Sequence, residues 1–330
     1  MLAAVPPRES AKRLENCLEN NARWELLDVQ RIWNAAPHNA FTDLIRYREQ
    51  WWCVCREAEH HLTLDGALRI LCSPDGKHWT STARLQTENA DLRDGKLSLC
   101  PDGRLMLNAG AALHERSRHS HESVVFFSED GEQWTPPRSV GDPNFWIWKM
   151  AWAANAVYGI AYRCGGDPRT LRLYRSDNGL DFTQLAANLP DEANPTEAAL
   201  CFDANQTAWC LLRRNHGTGL LGHAAAPYTD WHWQDTHTPL GGPAIIALPD
   251  GQLLGACRLV DESVRTSLVA LDASSGKLSE ALPLPSGGDT SYPGLVWHND
   301  ELWISYYSSH EGQSAIYLAR ARHRSQQELR

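Results

Sequence analysis

Several features that define common classes of protein are missing from this sequence of 330 residues. No window approaches about 18 consecutive apolar residues, so the sequence predicts no membrane-spanning helix. Pro6, Pro7 and Arg8 stand where a secretory signal would need its apolar stretch, and we therefore expect a cytoplasmic protein. The formal net charge is −9 and no basic stripe is present, which argues against a nucleic-acid-binding protein.

The signatures of cofactor and metal chemistry are also missing. No Gly-rich phosphate loop, dinucleotide fingerprint or Ser-centred elbow is present, so we expect no cofactor. The nine cysteines are odd in number and scattered, and seven of them fall inside apolar runs, a pattern typical of reduced, buried thiols. His119, His121 and Glu122 lie in a His-rich stretch without a further ligand at fixed spacing, so we predict no metal site.

Methionine and phenylalanine are scarce, at 3 and 6 residues, whereas tryptophan is abundant, at 14. Two tryptophans belong to a repeated motif, which occurs as Ser73–Trp79 (SPDGKHW), Ser128–Trp134 (SEDGEQW) and, in weaker form, Ser176–Phe182 (SDNGLDF). The starts of the copies lie 55 and 48 residues apart, a spacing that suits one four-stranded blade of a β-propeller. Each copy follows a strand-like run, and its Ser, Asp and Gly residues favour a hairpin turn.

A second element, two strand-like runs joined by a short polar turn, occurs six times. The first runs of the six units are Asp43–Tyr47, Lys96–Leu99, Lys149–Trp152, Glu197–Phe202, Ala244–Leu248 and Gly294–Trp297. Such regular turns between β-branched and aromatic runs indicate antiparallel sheets. We therefore predict an all-β fold, a six-bladed β-propeller of four-stranded antiparallel blades.

The N-terminal segment predicts how the chain begins and how the ring closes. Arg13–Leu27 favours a helix, so we divide the chain into a short helical lead-in over residues 1–26 and a single propeller domain over residues 27–330. Leu27–Trp33 is strand-like, and we expect it to pair with the last unit near Ile316–Ala321. This closure would remove an exposed edge strand.

The turn motif Ser-x-Asp-Gly-x-x-Trp, in register with six units, resembles the Asp-box, or BNR repeat, of the sialidase (neuraminidase) superfamily. The resemblance covers roughly residues 27–322. It implies a six-bladed propeller and an exo-acting, retaining glycoside hydrolase with a Tyr nucleophile. Because Asp-boxes also occur in binding propellers, other glycosidases and lyases, the function depends on the site residues.

The resemblance implies a set of catalytic residues. The Glu that starts the fourth blade in the family, and the Arg at the end of the next strand, are matched by Glu197 and Arg213. The Arg of the fifth blade and the nucleophilic Tyr are matched by Arg265 and Tyr292. A phenol with a pKa of about 10 needs a neighbouring carboxylate such as Glu197 to take its proton. Arg213 and Arg265 would hold the carboxylate of an acidic sugar.

Two parts of the family pattern are altered. Asp43 stands about where the first Arg of the carboxylate clamp is expected. Because one of the three clamp arginines is lost, we expect either a sialic acid or, in its place, another acidic or a neutral sugar as substrate. The family's acid/base Asp lies in a loop that here contains Arg56 and Glu59. We therefore expect Asp43 or Glu59 to act as the acid/base, and Arg56 to face the central funnel.

Three further residues are predicted to bind substrate. Arg93 lies before the innermost strand of the second blade, at the expected mouth of the funnel. Either Trp146 or Trp148 opens the third blade with an indole facing the funnel, and we favour Trp148. His310, after the second strand of the sixth blade, is a candidate proton carrier near neutral pH.

The leading hypothesis is a sialidase-like glycoside hydrolase with a carbohydrate substrate. One alternative is a polysaccharide lyase, in which a Tyr or His abstracts the proton beside a uronate carboxylate and His60, His119, His310 and Arg93 take part. Another is a non-catalytic, glycan-binding propeller. The oligomeric state is not indicated by the sequence.

Overall fold

Twenty-four strands form six sheets in the computed structural model, which describes residues 23–166 and 168–324. Each sheet contains four strands, and neighbouring strands within it are antiparallel. The predicted six-bladed propeller of four-stranded blades is therefore confirmed. Within the described residues, no helix has the length and apolarity needed to cross a membrane.

The strands follow one another in sequence around the ring. Blade 1 contains β2 (His38–Tyr47), β3 (Gln50–Ala58), β4 (Ala67–Ser73) and β5 (Thr80–Leu85). Blade 2 contains β6 (Ala90–Leu99), β7 (Leu105–Leu113), β8 (His121–Ser128) and β9 (Arg138–Val140). Blade 3 contains β10 (Phe145–Ala153), β11 (Ala156–Arg163), β12 (Leu171–Ser176) and β13 (Thr183–Leu185).

The second half of the ring repeats this order. Blade 4 contains β14 (Pro195–Phe202), β15 (Ala208–Arg214), β16 (Leu220–Ala224) and β17 (His232–Asp235). Blade 5 contains β18 (Gly241–Ala247), β19 (Leu253–Val260), β20 (Val264–Leu271) and β21 (Leu278–Pro283). Blade 6 contains β22 (Thr290–His298), β23 (Glu301–Ser308), β24 (Ala315–His323) and, from the other end of the chain, β1 (Trp24–Trp33).

The N-terminal strand closes the ring. In the pairing of β1 with β24, Leu26 lies opposite Ala321 and Trp33 opposite Ile316, which confirms the predicted closure. The helix predicted over residues 13–27 is corrected over its last residues, because the strand already begins at Trp24; residues 1–22 lie outside the described part. The ladder offered by β24 outweighs the weak helix propensity of this segment. β1 also crosses the boundary predicted between residues 26 and 27.

The three repeated turn motifs join the third and fourth strands of blades 1, 2 and 3. In the first copy, the Ser73 hydroxyl accepts a hydrogen bond of 2.8 Å from the Gly76 N–H, and Asp75 accepts two more from the backbone of the turn. Gly76 has a φ of +73°, and a Cβ there would lie 2.4 Å from Trp303 of blade 6. The same bonds recur in the other two copies. The motif therefore shapes a hairpin and allows close contact between blades.

Apolar side chains between the blades form the core. Trp51 of blade 1 stacks on Trp303 of blade 6 with ring centroids 4.1 Å apart. The eight cysteines within the described residues are free thiols, and seven of them are buried. Much of the tryptophan excess and the cysteine content therefore serves packing.

The innermost strand of every blade contains a β-bulge at the equivalent position. In each bulge, two residues of the inner strand lie opposite one residue of the second strand. The six bulged pairs are Phe41–Thr42, Asp94–Gly95, Trp148–Lys149, Thr196–Glu197, Gly242–Pro243 and Tyr292–Pro293. Because a bulge adds one residue to a strand, it changes which side chains face a given side further along.

Candidate active site

Two cavities lie along the propeller axis, and the ring of bulges separates them. The front cavity, of about 330 Å³, is lined on the inner strands by residues at or before the bulges, including Phe41, Arg93, Asp94, Trp146, Glu197 and Tyr292. The rear cavity, of about 340 Å³, is lined by residues at or after the bulges, including Asp43, Lys96, Trp148, Lys149, Pro293 and Leu295. The bulges therefore decide which residues can act together.

Tyr292 and Glu197 line the front cavity and contact each other. Tyr292 Oη donates a hydrogen bond of 2.6 Å to Glu197 Oε1, and Arg213 Nη1 donates one of 2.7 Å to the same oxygen. Glu197 Oε2 accepts a 2.7 Å hydrogen bond from the backbone N–H of Gly242. The structure thus brings together three of the predicted site residues, with the carboxylate oriented toward the phenol.

The electrostatics of this group favour a protonated phenol in the resting site. Burial raises the pKa of Tyr292 well above its usual value, and the Glu197 carboxylate raises it further, whereas Arg213 and Arg258 lower it. Coulomb attraction to Glu197 raises the pKa of Arg213. The phenol therefore becomes a strong nucleophile as its proton passes to Glu197.

Gly242 is a site residue that the sequence reasoning missed. It has a φ of +55°, and a Cβ at this position would lie 2.7 Å from Cδ2 of Tyr292. The absent side chain leaves room for the phenol ring, and the backbone N–H binds Glu197. Tyr292 also has a positive φ of 51°, which costs of order 1–3 kcal/mol for a residue with a side chain. The fold therefore constrains the backbone on both sides of the phenol–carboxylate contact.

Arg258, rather than Arg265, lies beside the tyrosine. Arg258 lies on the second strand of blade 5, donates a 3.0 Å hydrogen bond to the Thr290 carbonyl and lowers the pKa of Tyr292. Arg265 lies on the third strand and donates hydrogen bonds to Glu280 and Asp261, both 2.7 Å long. This placement corrects the expectation that Arg265 clamps substrate. The sequence does contain a signal for Arg258: it lies near the end of the second strand of blade 5, as Arg213 does in blade 4.

Asp43 and Glu59 are not beside the tyrosine, which corrects both acid/base expectations. Asp43 follows the bulge of β2 and faces the rear cavity, where its Oδ2 accepts hydrogen bonds from Leu97 N–H (2.7 Å) and Lys149 Nζ (2.5 Å). Glu59 is exposed in a loop whose backbone is bound by Asp65, and its side chain does not line the front cavity.

Arg56 and Arg93 share one carboxylate. Arg56 is fully buried, lies 2.9 Å from Asp91 and donates to the carbonyls of His60 and Thr63. Arg93 also binds Asp91 and the Thr63 carbonyl, but it lines the front cavity. Arg56 thus supports the cavity wall from behind, which corrects its expected position in the funnel, and Arg93 lies where the sequence predicts.

Trp146, rather than Trp148, lines the front cavity. Its ring lies nearly parallel to that of Tyr162, with centroids 6.3 Å apart, and both residues contribute to the cavity wall. Trp148 is buried in the bulge of β10, packs edge-on against Tyr292 at 5.2 Å and faces the rear cavity. This corrects the preference for Trp148: the residue lies within the bulge and faces the rear cavity, whereas Trp146 precedes the bulge and faces the front.

His310 does not contribute to the front cavity, whereas three basic residues besides Arg93 do. His310 is exposed, and its Nδ1 lies 2.9 Å from Ser308 Oγ. The lining residues include Arg116, His61 and His121. Burial lowers the pKa of His121 to about 4, so this imidazole is neutral near pH 7. Arg116 donates to the Leu113 carbonyl and has no ion pair within the described part of the chain.

One group of residues has the composition of a metal site. Ligand atoms of His38, His61 and Asp289 all lie within 4.8 Å of one another. Hydrogen bonds account for this spacing: Asp289 Oδ2 lies 3.0 Å from His38 Nε2 and 2.7 Å from His61 Nδ1, and Oδ1 accepts from Tyr307. The buried Nδ1 of His38 lacks the acceptor that supports a metal-bound imidazole. We therefore conclude that Asp289 orients the His61 ring.

Comparisons with known proteins identify the fold. No protein-family model and no curated protein sequence matches the chain. Among solved structures, a Dyadobacter fermentans protein of unknown function has 16% identity and a TM-score of 0.80, with 91% of this chain and 99% of that chain covered.

Two enzymes share the same architecture. Trypanosoma rangeli sialidase in complex with sialic acid has 10% identity and a TM-score of 0.69, over 90% of this chain and 58% of the sialidase. Penicillium chrysogenum α-L-arabinanase complexed with arabinobiose has 12% identity and a TM-score of 0.66, over 89% of this chain and 98% of that chain. Similarity at these identities shows the fold alone: a six-bladed β-propeller, a class that includes glycoside hydrolases.

Proposed function

We propose that the protein is a sialidase-like, retaining glycoside hydrolase with Tyr292 as nucleophile and Glu197 as its base. The observation that carries the proposal is the 2.6 Å hydrogen bond from the Tyr292 hydroxyl to a carboxylate that is itself held by Arg213 and Gly242. A nucleophile bonded to a base that a third group orients is the arrangement required for covalent catalysis.

The reaction follows from this arrangement. Tyr292 Oη bonds to the anomeric carbon as its proton moves to Glu197 and the bond to the leaving group breaks. Water then attacks the same carbon and releases the tyrosine, which recovers its proton from Glu197, and the proton that the water loses balances the one that the leaving-group oxygen takes up. Two displacements at one carbon retain the anomeric configuration. Arg213 and Arg258 stabilise the negative charge that passes between the phenol and the carboxylate.

The walls of the front cavity support an acidic sugar as substrate. Arg93 and Arg116 line it, and Arg116 has no carboxylate partner within the described residues. An arginine that is free to form paired hydrogen bonds suits a sugar carboxylate. Trp146 and Tyr162 offer aromatic surface on the neighbouring blade 3. We therefore propose a carbohydrate partner whose carboxylate binds Arg93 and Arg116, in place of the Arg265 expected from the sequence.

The test is a panel of 4-methylumbelliferyl glycosides that includes sialic, glucuronic and galacturonic acids, with arabinofuranose as a neutral comparison. We expect turnover of at least one acidic glycoside, and NMR of the released sugar should show that the anomeric configuration is retained. Tyr292→Phe should abolish it, whereas Tyr306→Phe should not, because the Tyr306 hydroxyl binds a carbonyl of Pro285 outside the cavity.

The panel also separates the other two functions. A lyase would release an unsaturated uronate, detected by its ultraviolet absorbance, in place of a hydrolysed sugar. A binding propeller would retain glycans without turnover, with an affinity that Glu197→Gln leaves unchanged. Either result would contradict the hydrolase.

A further inference from the structure

Asp94 is a buried carboxyl group that the reaction above leaves unused. It is the first residue of the blade 2 bulge, has a φ of +53° and is 7% exposed. Its Oδ1 is buried without a hydrogen-bond partner within the described residues. Asp94 lines the front cavity with Tyr292 and Glu197. Burial of an unpartnered carboxyl group destabilises a fold, so its presence calls for a functional explanation.

The other carboxylates around the axis are committed to partners. Asp91 binds two arginines, and Glu197 binds Tyr292, Arg213 and a backbone N–H. Asp289 binds two histidines and a tyrosine, and Asp43 binds Lys149 in the rear cavity. Among these carboxyl groups of the described chain, Asp94 is therefore the one able to give and take a proton at the front cavity.

The surroundings of Asp94 keep its proton in place near neutral pH. The pKa of Asp94 is raised to about 7 on balance, and burial is the largest influence. Within that balance, the Glu197 carboxylate also raises the pKa of Asp94, and the cations Lys96, Arg93 and Arg56 lower it. The phenols of Tyr162 and Tyr292 also interact with Asp94. A general acid is most effective when its pKa lies near the working pH.

We infer that Asp94 is the general acid and base of the front cavity, and this inference rests on the proposed hydrolase. In the first step, the Asp94 carboxyl gives its proton to the glycosidic oxygen, which keeps the electron pair of the broken bond. Tyr292 bonds to the anomeric carbon in the same step, and its proton passes to Glu197. In the second step, Asp94 takes a proton from the attacking water and Glu197 returns one to the tyrosine.

A general acid has a signature that a structural or sugar-binding carboxyl group lacks. The leaving group 4-nitrophenolate departs without a proton, whereas an alkoxide needs one. Loss of the acid therefore slows methyl glycosides far more than 4-nitrophenyl glycosides of the same sugar. Loss of a sugar contact slows both equally, because the sugar is identical.

The experiment compares wild type with Asp94→Asn on methyl and 4-nitrophenyl glycosides of sialic acid and of glucuronic acid. We expect kcat/KM to fall about 10²-fold or more for the methyl glycoside and less than about 10-fold for the 4-nitrophenyl glycoside. The wild-type profile on the methyl glycoside should fall as pH rises through about 7, since Asp94 loses its proton there. Asp43→Asn is the matched control and should affect both leaving groups alike.

Each outcome decides the inference. A loss independent of the leaving group, or no loss, would overturn the role of Asp94 while leaving the hydrolase intact. Absence of wild-type turnover on all four substrates would overturn the hydrolase and the acid role together. If Asp94→Asn does not fold, Asp94→Ser removes the acid in a smaller volume, and the same ratio is measured.

A measurement without substrate provides a second test. The pKa of Asp94 is higher in the folded than in the unfolded protein. The free energy of unfolding of wild type should therefore fall as pH rises from about 4 to about 7. The gain in Tm of Asp94→Asn over wild type should therefore be larger at about pH 8 than at about pH 5. An equal gain at both values would overturn the assignment of a protonated acid.

Discussion

The front and rear cavities are built from the same six inner strands, yet their chemistry differs. In the rear cavity, Asp43 is satisfied by Lys149 and by a backbone N–H, and much of the remaining wall is apolar. In the front cavity, Tyr292 donates a hydrogen bond to Glu197, and the buried Asp94 Oδ1 has no partner within the described residues. A satisfied ion pair stabilises a fold, whereas groups poised to transfer protons serve a reaction. This difference supports the proposed function of the front cavity.

Removal of the nucleophile should have the largest effect. Tyr292→Phe deletes the hydroxyl that donates to Glu197 but keeps the ring packed against Trp148. We expect kcat/KM on the preferred acidic glycoside to fall about 10³-fold or more, with Tm nearly unchanged. Turnover close to wild type would remove Tyr292 from the mechanism.

Removal of the base should have the next largest effect. Glu197→Gln retains the shape and one acceptor oxygen but accepts the phenolic proton poorly. A loss of about 10²- to 10³-fold in kcat is expected. The control is Glu280→Gln, which alters a carboxylate that binds Arg265 away from the cavity. Equal losses in both variants would point to a general destabilisation in place of a catalytic role.

Arg116 should affect binding more than chemistry. Its guanidinium lines the front cavity and binds only the Leu113 carbonyl among the described residues. Arg116→Ala should raise KM about 10-fold for an acidic glycoside and change kcat little. Arg118→Ala, on the same loop but outside the lining, is the control. An unchanged KM would show that the sugar carboxylate binds elsewhere.

The rear cavity should respond in stability and not in activity. Lys149→Met breaks the ion pair of the buried Asp43, and the free energy of unfolding should decrease by about 1–3 kcal/mol. Turnover should stay within about threefold of wild type. Chemical denaturation and kinetics of the same sample test this, with Lys77→Met as an exposed control. A large loss of kcat in the folded variant would contradict the division between the cavities.

The sequence predicts the fold well because the repeats encode it locally. The turn motifs and six paired strand-like runs indicate blades, and β1 closes the ring where expected. The contact between Tyr292 and Glu197 also lies where the family resemblance implies. The cytoplasmic location and the division into lead-in and propeller stay predictions.

The remaining site residues could not be predicted because the bulges are not visible in the sequence. Counting alternate residues along a regular strand puts Asp43 and Trp148 in the wrong cavity, since each inner strand contains an extra residue. Predicting the role of Asp94 requires knowing that it is buried and lacks a hydrogen-bond partner, and both facts depend on the neighbouring blades. Choosing Arg258 over Arg265 requires strand order within blade 5.

The most direct test of the central claim is to identify the residue that bonds to the sugar. A fluorinated analogue of the preferred acidic glycoside slows release of the glycosyl-enzyme, so that peptide mass spectrometry can locate it. The account predicts one sugar on the peptide that contains Tyr292, and none in Tyr292→Phe. A sugar attached to any other residue, or no attachment during turnover of the matching substrate, would contradict it.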